Sequence, residues 1–316
     1  DKANHEKYLE KKVNDSFDAS ATAVYFLGAD DKLVRTEKPL GEGKYVNVYL
    51  KTNPSVVDIL DKTIVRKFID LTHERYKKEC GEDFGKYMLG FFTDEPQYYR
   101  WSTPYSPVLI PYFKEKYGVD LWSELGKLFV DCDGAYAFRY RYWSAMHEFF
   151  INSFVKQIYD WCNENGCQLT GHAVEESCLC TQMWCCAGVM DFYEYEHIPG
   201  IDWLGRYIGT ELEPKQIGSV AEQLGKKHVL TETFACCGWD VTPQELKRIA
   251  RIADGADVCK ARNLVAVFVE FFKQGTGCGG FAFELRLVGL VGKEDIADVD
   301  CIADILLPLA DDAGLD

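Results

Sequence analysis

The chain has no apolar run of about 18 residues or more, the length a helix needs to cross a bilayer, and no signal-peptide pattern. It has no GxGxxG or Walker loop after any strand candidate, so a nucleotide-binding fold is without support. It has no HExxH pair, and its cysteines never form two separated CxxC knuckles. Positive charge is scarce: 35 Lys and Arg stand against 50 Asp and Glu, a net charge of −15. That balance argues against nucleic acid and anionic membrane surfaces as partners. Neutral substrates stay open, and sugars are neutral.

At 316 residues the chain has room for one large domain or two ordinary ones, with a substantial core. Thirteen cysteines, an odd count with adjacent pairs at 185–186 and 236–237, do not read as a secreted disulfide framework. Free buried thiols in a reducing cytoplasm are the expectation. Cys178, Cys180, Cys185 and Cys186 lack zinc-site spacing. The chain starts at Asp1 rather than Met and is expected to be a fragment.

The informative stretch is MLGFFTDEPQ at 88–97. A short apolar run ending in Thr93, Asp94, Glu95 and Pro96 reads as a strand buried on both faces and stopped by proline. Asp94 and Glu95 then stand at the carboxyl end of a buried parallel strand, where α/β folds place their chemistry. HVLTE at 228–232 repeats the design and ends in Glu232. Two strand-end glutamates on different strands are what glycosidic bond cleavage requires, one to protonate the leaving oxygen and one to attack or to activate water. A solvated loop acid after a core strand is the alternative for either residue taken singly.

Strand and helix signals alternate between these points. Residues 1–20 are charged and weakly patterned and are expected to be a peripheral helix. Runs at 23–27, 33–35 and 45–50, joined by glycine turns, predict a small antiparallel sheet inserted over 21–52. Helical spacing from Thr63 to Gly81 places Ile64, Phe68, Leu71 and Tyr76 on one face. Ser106-Pro107 and Thr242-Pro243-Gln244-Glu245 are helix starts, the second a capping box. Strands are expected at 168–170 and at 189–193, the latter leading to Glu194, Glu196 and His197. The alternation predicts an α/β fold of the (β/α)8 TIM-barrel type over 1–250, incomplete at the front. After about Ala250 no Trp, Tyr, His, Met or Ser occurs. Residues 251–316 are thus compositionally distinct, either a smaller second domain or a segment outside the ancestral reading frame.

Together, THERY at 72–76, GFFTDEP at 90–96, YDWC at 159–162, LTGH at 169–172, IPGID at 198–202 and LTETF at 230–234 with Gly238-Trp239 carry a resemblance. The chain resembles bacterial glycoside hydrolases with a family-2-like sugar-binding domain, related to the family 106 α-L-rhamnosidases, over roughly residues 21–250. The resemblance implies a barrel whose fourth strand carries the acid and whose seventh carries the second carboxylate. MLGFF, QLTGH, MDFYEY and HVLTE would then be strands four to seven. The first two strands and the sugar-binding domains would lie upstream of Asp1, and the eighth strand would fall where the composition breaks.

The expected roles are Glu95 as general acid, its pKa raised by desolvation beside Phe92, and Glu232 as nucleophile or base. Asp94, His172, Glu176, Tyr195, Glu196 and Trp239 are candidate sugar contacts, with Tyr195 and Trp239 as ring-stacking platforms or as wall packing. No cofactor is expected. Glu175, Glu176, Glu194 and Glu196 leave calcium open, through oxygen ligands. Two competing readings remain: a non-catalytic, weakly sugar-binding remnant of such a barrel, and a metal-dependent hydrolase built on His172, Glu194 and His197.

Overall fold

The computed structural model describes residues 2–207, 209, 212–255, 263–274 and 282–291, and from 250 onward the backbone alone. Among them are strands β1 (His5–Asn14), β2 (Ala23–Leu27), β3 (Leu33–Thr36), β4 (Lys44–Val57), β5 (Gly90–Asp94), β6 (Thr103–Tyr105), β7 (Gln168–His172), β8 (Ile198–Trp203), β9 (His228–Thr233), β10 (Asn263–Gln274) and β11 (Ala282–Val291). The fold is mixed α/β, with one antiparallel sheet and one largely parallel sheet. Each sheet belongs to its own compact unit.

The first unit takes residues 1–82, 97–160 and 183–187. Its sheet runs β3-β2-β4-β1-β6. Leu9, Tyr25, Val46 and Val48 are buried on one face, and Tyr45 is buried on the other. The Tyr25 hydroxyl donates to the Trp122 carbonyl at 2.6 Å, which satisfies the one polar atom that its burial would otherwise strand. Helix Lys62–Leu71 is capped by Asp61, whose side chain accepts from the Thr63 amide at 2.8 Å.

The second unit takes residues 83–96, 161–182 and 188–316. Its sheet runs β11-β10-β9-β8-β7-β5. Strands β5, β7, β8, β9 and β10 are mutually parallel, and β11 returns antiparallel to β10. The parallel strands follow chain order without a reversal point, unlike a doubly wound sheet. Leu169, Ile201, Val229 and Leu230 from the strands and Ile217 and Ala221 from helix Leu212–Leu224 are buried. Gly171 permits the close approach of β5 and β7, since a Cβ there would fall against the backbone of Thr93. Backbone cannot give way as a flexible side chain can, so that approach requires glycine.

Several expectations from the sequence need correction. Residues 5–14 form β1, not a helix: the strand is held by a ten-residue ladder to β4 and a shorter one to β6. Its charged sequence buries only Glu6 and Leu9, so the signal lies in the backbone pairing and not in side-chain alternation. The predicted strand at 88–92 is displaced to β5 and is not buried on both faces. It lies at the sheet edge, with Leu89 and Phe92 exposed. In helices Lys62–Leu71 and His73–Cys80 the buried residues are Ile64, Val65, Ile69 and His73, while Phe68, Leu71 and Tyr76 face out. The predicted strand at 189–193 is a helix, Met190–Glu194, and the strand is β8. Pro199 and Gly200 read as turn residues, yet Gly171 pairs with Pro199 in the parallel ladder. The capping box forms as expected: the Thr242 amide donates to Glu245 at 3.0 Å and the Glu245 amide to the Thr242 hydroxyl at 3.3 Å. Much of 251–316 lies outside the described residues.

Candidate active site

The parallel register sets the site. Asp94 of β5 lies opposite His172 of β7, and Asp202 of β8 opposite Glu232 of β9. All four stand at the carboxyl ends of their strands. His172 is buried, and its Nε2 lies 2.8 Å from Glu232 Oε2 and 3.5 Å from Asp94 Oδ1. Its Nδ1 lies 3.1 Å from the Ala173 carbonyl. A carbonyl on one nitrogen and a carboxylate on the other are both acceptors, so both ring nitrogens carry protons. Burial alone would oppose that charge, but the Glu232 and Ala173 hydrogen bonds with the Asp202 and Glu176 charges raise the pKa to about 9. The Phe92 ring meets the imidazole edge-on, 5.5 Å between centroids.

Asp202 completes the cluster. Its carboxyl is pushed up to about 6, first by burial and then by the charges of Glu232, Glu95 and Asp94, with His172 pulling the other way. Among the described residues, Asp202 Oδ1 is a buried atom without a hydrogen-bond partner. Glu95 is half-buried and takes a left-handed φ of 46°, a costly conformation for a residue with a side chain. It directly follows the end of β5.

Behind the cluster lies Glu176, buried, with Oε1 accepting from the Tyr193 hydroxyl at 2.5 Å and Oε2 from the Asp202 amide at 3.0 Å. Burial pushes its pKa to about 8 despite both hydrogen bonds, so it holds a proton at neutral pH. Tyr193 and Glu176 thus brace the β8 terminus that presents Asp202.

The remaining candidates lie elsewhere. The main chain of Tyr195 and Glu196 precedes β8, at the amino ends of the strands. Glu196 is fully buried there, with Oε2 accepting from the Gly200 amide at 3.4 Å, and burial raises its pKa well above the ordinary range. Lys226, just before β9, donates to the Glu194 and Glu196 carbonyls at 2.8 and 2.6 Å. His197 accepts from the Leu169 amide at 2.9 Å, at the opposite end of β7 from His172. At about 3.3 Å per strand residue, His172 and His197 are too far apart to share an ion. Trp239 sits in the loop after β9 and is 82% exposed, which excludes wall packing for it.

His172, Asp202 and Glu232 bring three metal-capable atoms within 4.8 Å of one another. The His172 Nε2–Glu232 contact is a hydrogen-bonded ion pair, and a cation held by His172 would have to displace the proton it carries. No cysteine belongs to this grouping, and Cys178 and Cys180 are exposed free thiols.

Sequence reasoning misses Asp202 as a site residue although it closes the IPGID motif. The misplaced strand hides it: a strand at 189–193 would give Glu194 and Glu196 the strand-end position that belongs to Asp202.

No family model matches the sequence, and no curated protein does. Among solved structures the chain is similar to a rhamnosidase from Novosphingobium sp. PP1Y, with a TM-score of 0.52 and 19% identity. The similarity covers 73% of this chain and 24% of that one, so this chain matches about a quarter of the rhamnosidase's length. At that identity the likeness is one of fold. No described helix is long and apolar enough to cross a membrane.

Proposed function

We propose that the parallel-stranded unit belongs to a glycosidase barrel that cleaves an O-glycosidic bond with two carboxylates. Glu95 is the general acid, and Glu232, held by protonated His172, is the nucleophile or base. The reading rests chiefly on one observation: Asp94, Asp202 and Glu232 converge on His172 at the carboxyl ends of parallel strands, and Glu95 directly follows the first of those strands. Sequential strand order accords with a barrel of the TIM type, in which the first strands precede β5 and β10 follows β9 as the last parallel unit. In this reading residues 1–250 hold the catalytic body, with the antiparallel sheet, whose strands lie within 5–57 and 103–105, an addition to the barrel and 251–316 a segment of separate character. The sugar is proposed by analogy with the resemblance and the rhamnosidase neighbour: an α-L-rhamnoside.

The test is turnover of aryl glycosides, beginning with 4-nitrophenyl α-L-rhamnoside, by the purified chain with and without a chelator. Loss on chelation, restored by calcium, would give the Asp202 and Glu232 oxygens a cation-holding role. Insensitivity would leave the carboxylates to act alone.

A second assignment of the acid has its own support. Asp202, half-buried across the ladder from Glu232 and with its carboxyl raised to about 6, is suited to donate a proton. If Glu95 is the acid, Glu95→Gln loses turnover on poor leaving groups far more than on 4-nitrophenol, and Asp202→Asn does not. The reverse pattern moves the role to Asp202. A non-catalytic remnant, consistent with the edge position of β5, would bind the glycoside without turning it over.

A further inference from the structure

The loops after β8 and β9 carry two large aromatic side chains that the carboxylate cluster does not use. Tyr207 is 86% exposed and Trp239 equally open to solvent, so neither contributes to the core. The residues beside them are joined. Arg206, next to Tyr207, donates to both oxygens of Asp240, next to Trp239, at 2.6 and 3.3 Å. The Gly205 amide donates to the Ala235 carbonyl at 2.9 Å, and Arg248 donates to the Arg206 carbonyl at 2.9 Å. Gly238 turns tightly at φ 79°, and a Cβ there would lie 2.9 Å from Asp240 Oδ1, so the turn sets the carboxylate that meets Arg206.

An exposed ion pair adds little stability. Its consequence here is geometric: it holds one loop to the other, at residues adjacent in the chain to Tyr207 and Trp239. The loops begin two residues past Asp202 and Glu232. Both loops leave the carboxyl ends of β8 and β9, the ends that carry Asp202 and Glu232, and their aromatic side chains are open to solvent.

We infer that Tyr207 and Trp239 form a ring-stacking subsite on the leaving-group side of the carboxylate cluster. It takes the apolar face of a six-membered ring carried by the leaving group, either a second pyranose or an aryl ring. The sequence offered Trp239 alone as a platform; Tyr207 and the Arg206–Asp240 clasp come from the structure. The inference rests on the glycosidase reading and specifies part of its substrate class.

Calorimetric titration of the chain carrying Glu232→Gln, which limits turnover whatever the leaving group, tests it with three probes: methyl α-L-rhamnoside, 4-nitrophenyl α-L-rhamnoside and α-L-rhamnosyl-(1→6)-glucose. Added Trp239→Ala or Tyr207→Ala should lower the preference for a ring-bearing over the methyl glycoside by about tenfold, the equivalent of ~1.4 kcal/mol. Trp239→Phe and Tyr207→Phe, which keep a ring face, should retain most of it. A fall for one ring-bearing probe alone also supports the subsite and identifies its ring. An unchanged preference in both alanine variants, shown folded by circular dichroism, overturns the subsite and leaves the glycosidase reading in place. Failure of all three probes to bind the parent chain overturns both.

Discussion

Nδ1 of His172 faces a carbonyl and Nε2 a carboxylate, and the imidazolium this enforces sits amid Glu232, Asp94 and Asp202. Glu176 is its counterpart, a carboxyl kept protonated by burial behind Asp202. Both shifts act on stability in one direction. Between pH 4.5 and about 8 the folded chain holds the Glu176 proton and the unfolded chain does not, so this contribution is complete below 4.5 and is lost as pH rises through about 8. His172 acts alike between 6.5 and about 9. Glu176→Gln mimics the protonated acid, so its melting temperature should fall less than the parent's from pH 5 to pH 8. Parallel melting curves across that range would mean that Glu176 ionises normally. The sequence showed His172 and Glu176 as polar residues near a strand end. Their partners come from β8, β9 and a helix, and no local pattern connects those elements.

β8 shows most directly how an element can be read wrongly. Its apolar content is modest, Pro199 and Gly200 resemble a turn, and the preceding run at 189–193 has the apolar look of a strand while forming a helix that buries Phe192 and Tyr193. The consequence is one overlooked site residue, Asp202. By contrast β7, β9 and the Thr242 capping box were legible, because each is a short apolar run or cap motif bounded by clear turn signals. The approach of β5 to β7 was invisible in sequence, since it depends on what faces Gly171 across the ladder. Gly171→Ala would drive a methyl group into the Thr93 backbone and part Asp94 from His172. Overpacking of that kind costs about 1–3 kcal/mol. The variant should therefore melt lower and lose activity together. Retention of both would show that the two strands can shift to admit a side chain.

At the scale of the whole chain, alternating strand and helix signals pointed to the α/β class, and the turns over 28–43 to the antiparallel sheet. That β1 and β6 extend this sheet was not legible, because their pairing partners are distant in sequence. The parallel strands that carry Asp94, His172, Asp202 and Glu232 lie side by side in chain order, which turns four motifs far apart in sequence into one cluster. Removing one of its carboxylates is the most direct measurement of what that cluster does. If Glu232 is the nucleophile or base, Glu232→Gln lowers the rate on 4-nitrophenyl α-L-rhamnoside by about 10²–10⁴-fold while the chain stays folded. Azide, as an external nucleophile, would recover part of that rate if Glu232 is the nucleophile. Turnover by the Glu232→Gln chain at the parent's rate would contradict the two-carboxylate mechanism.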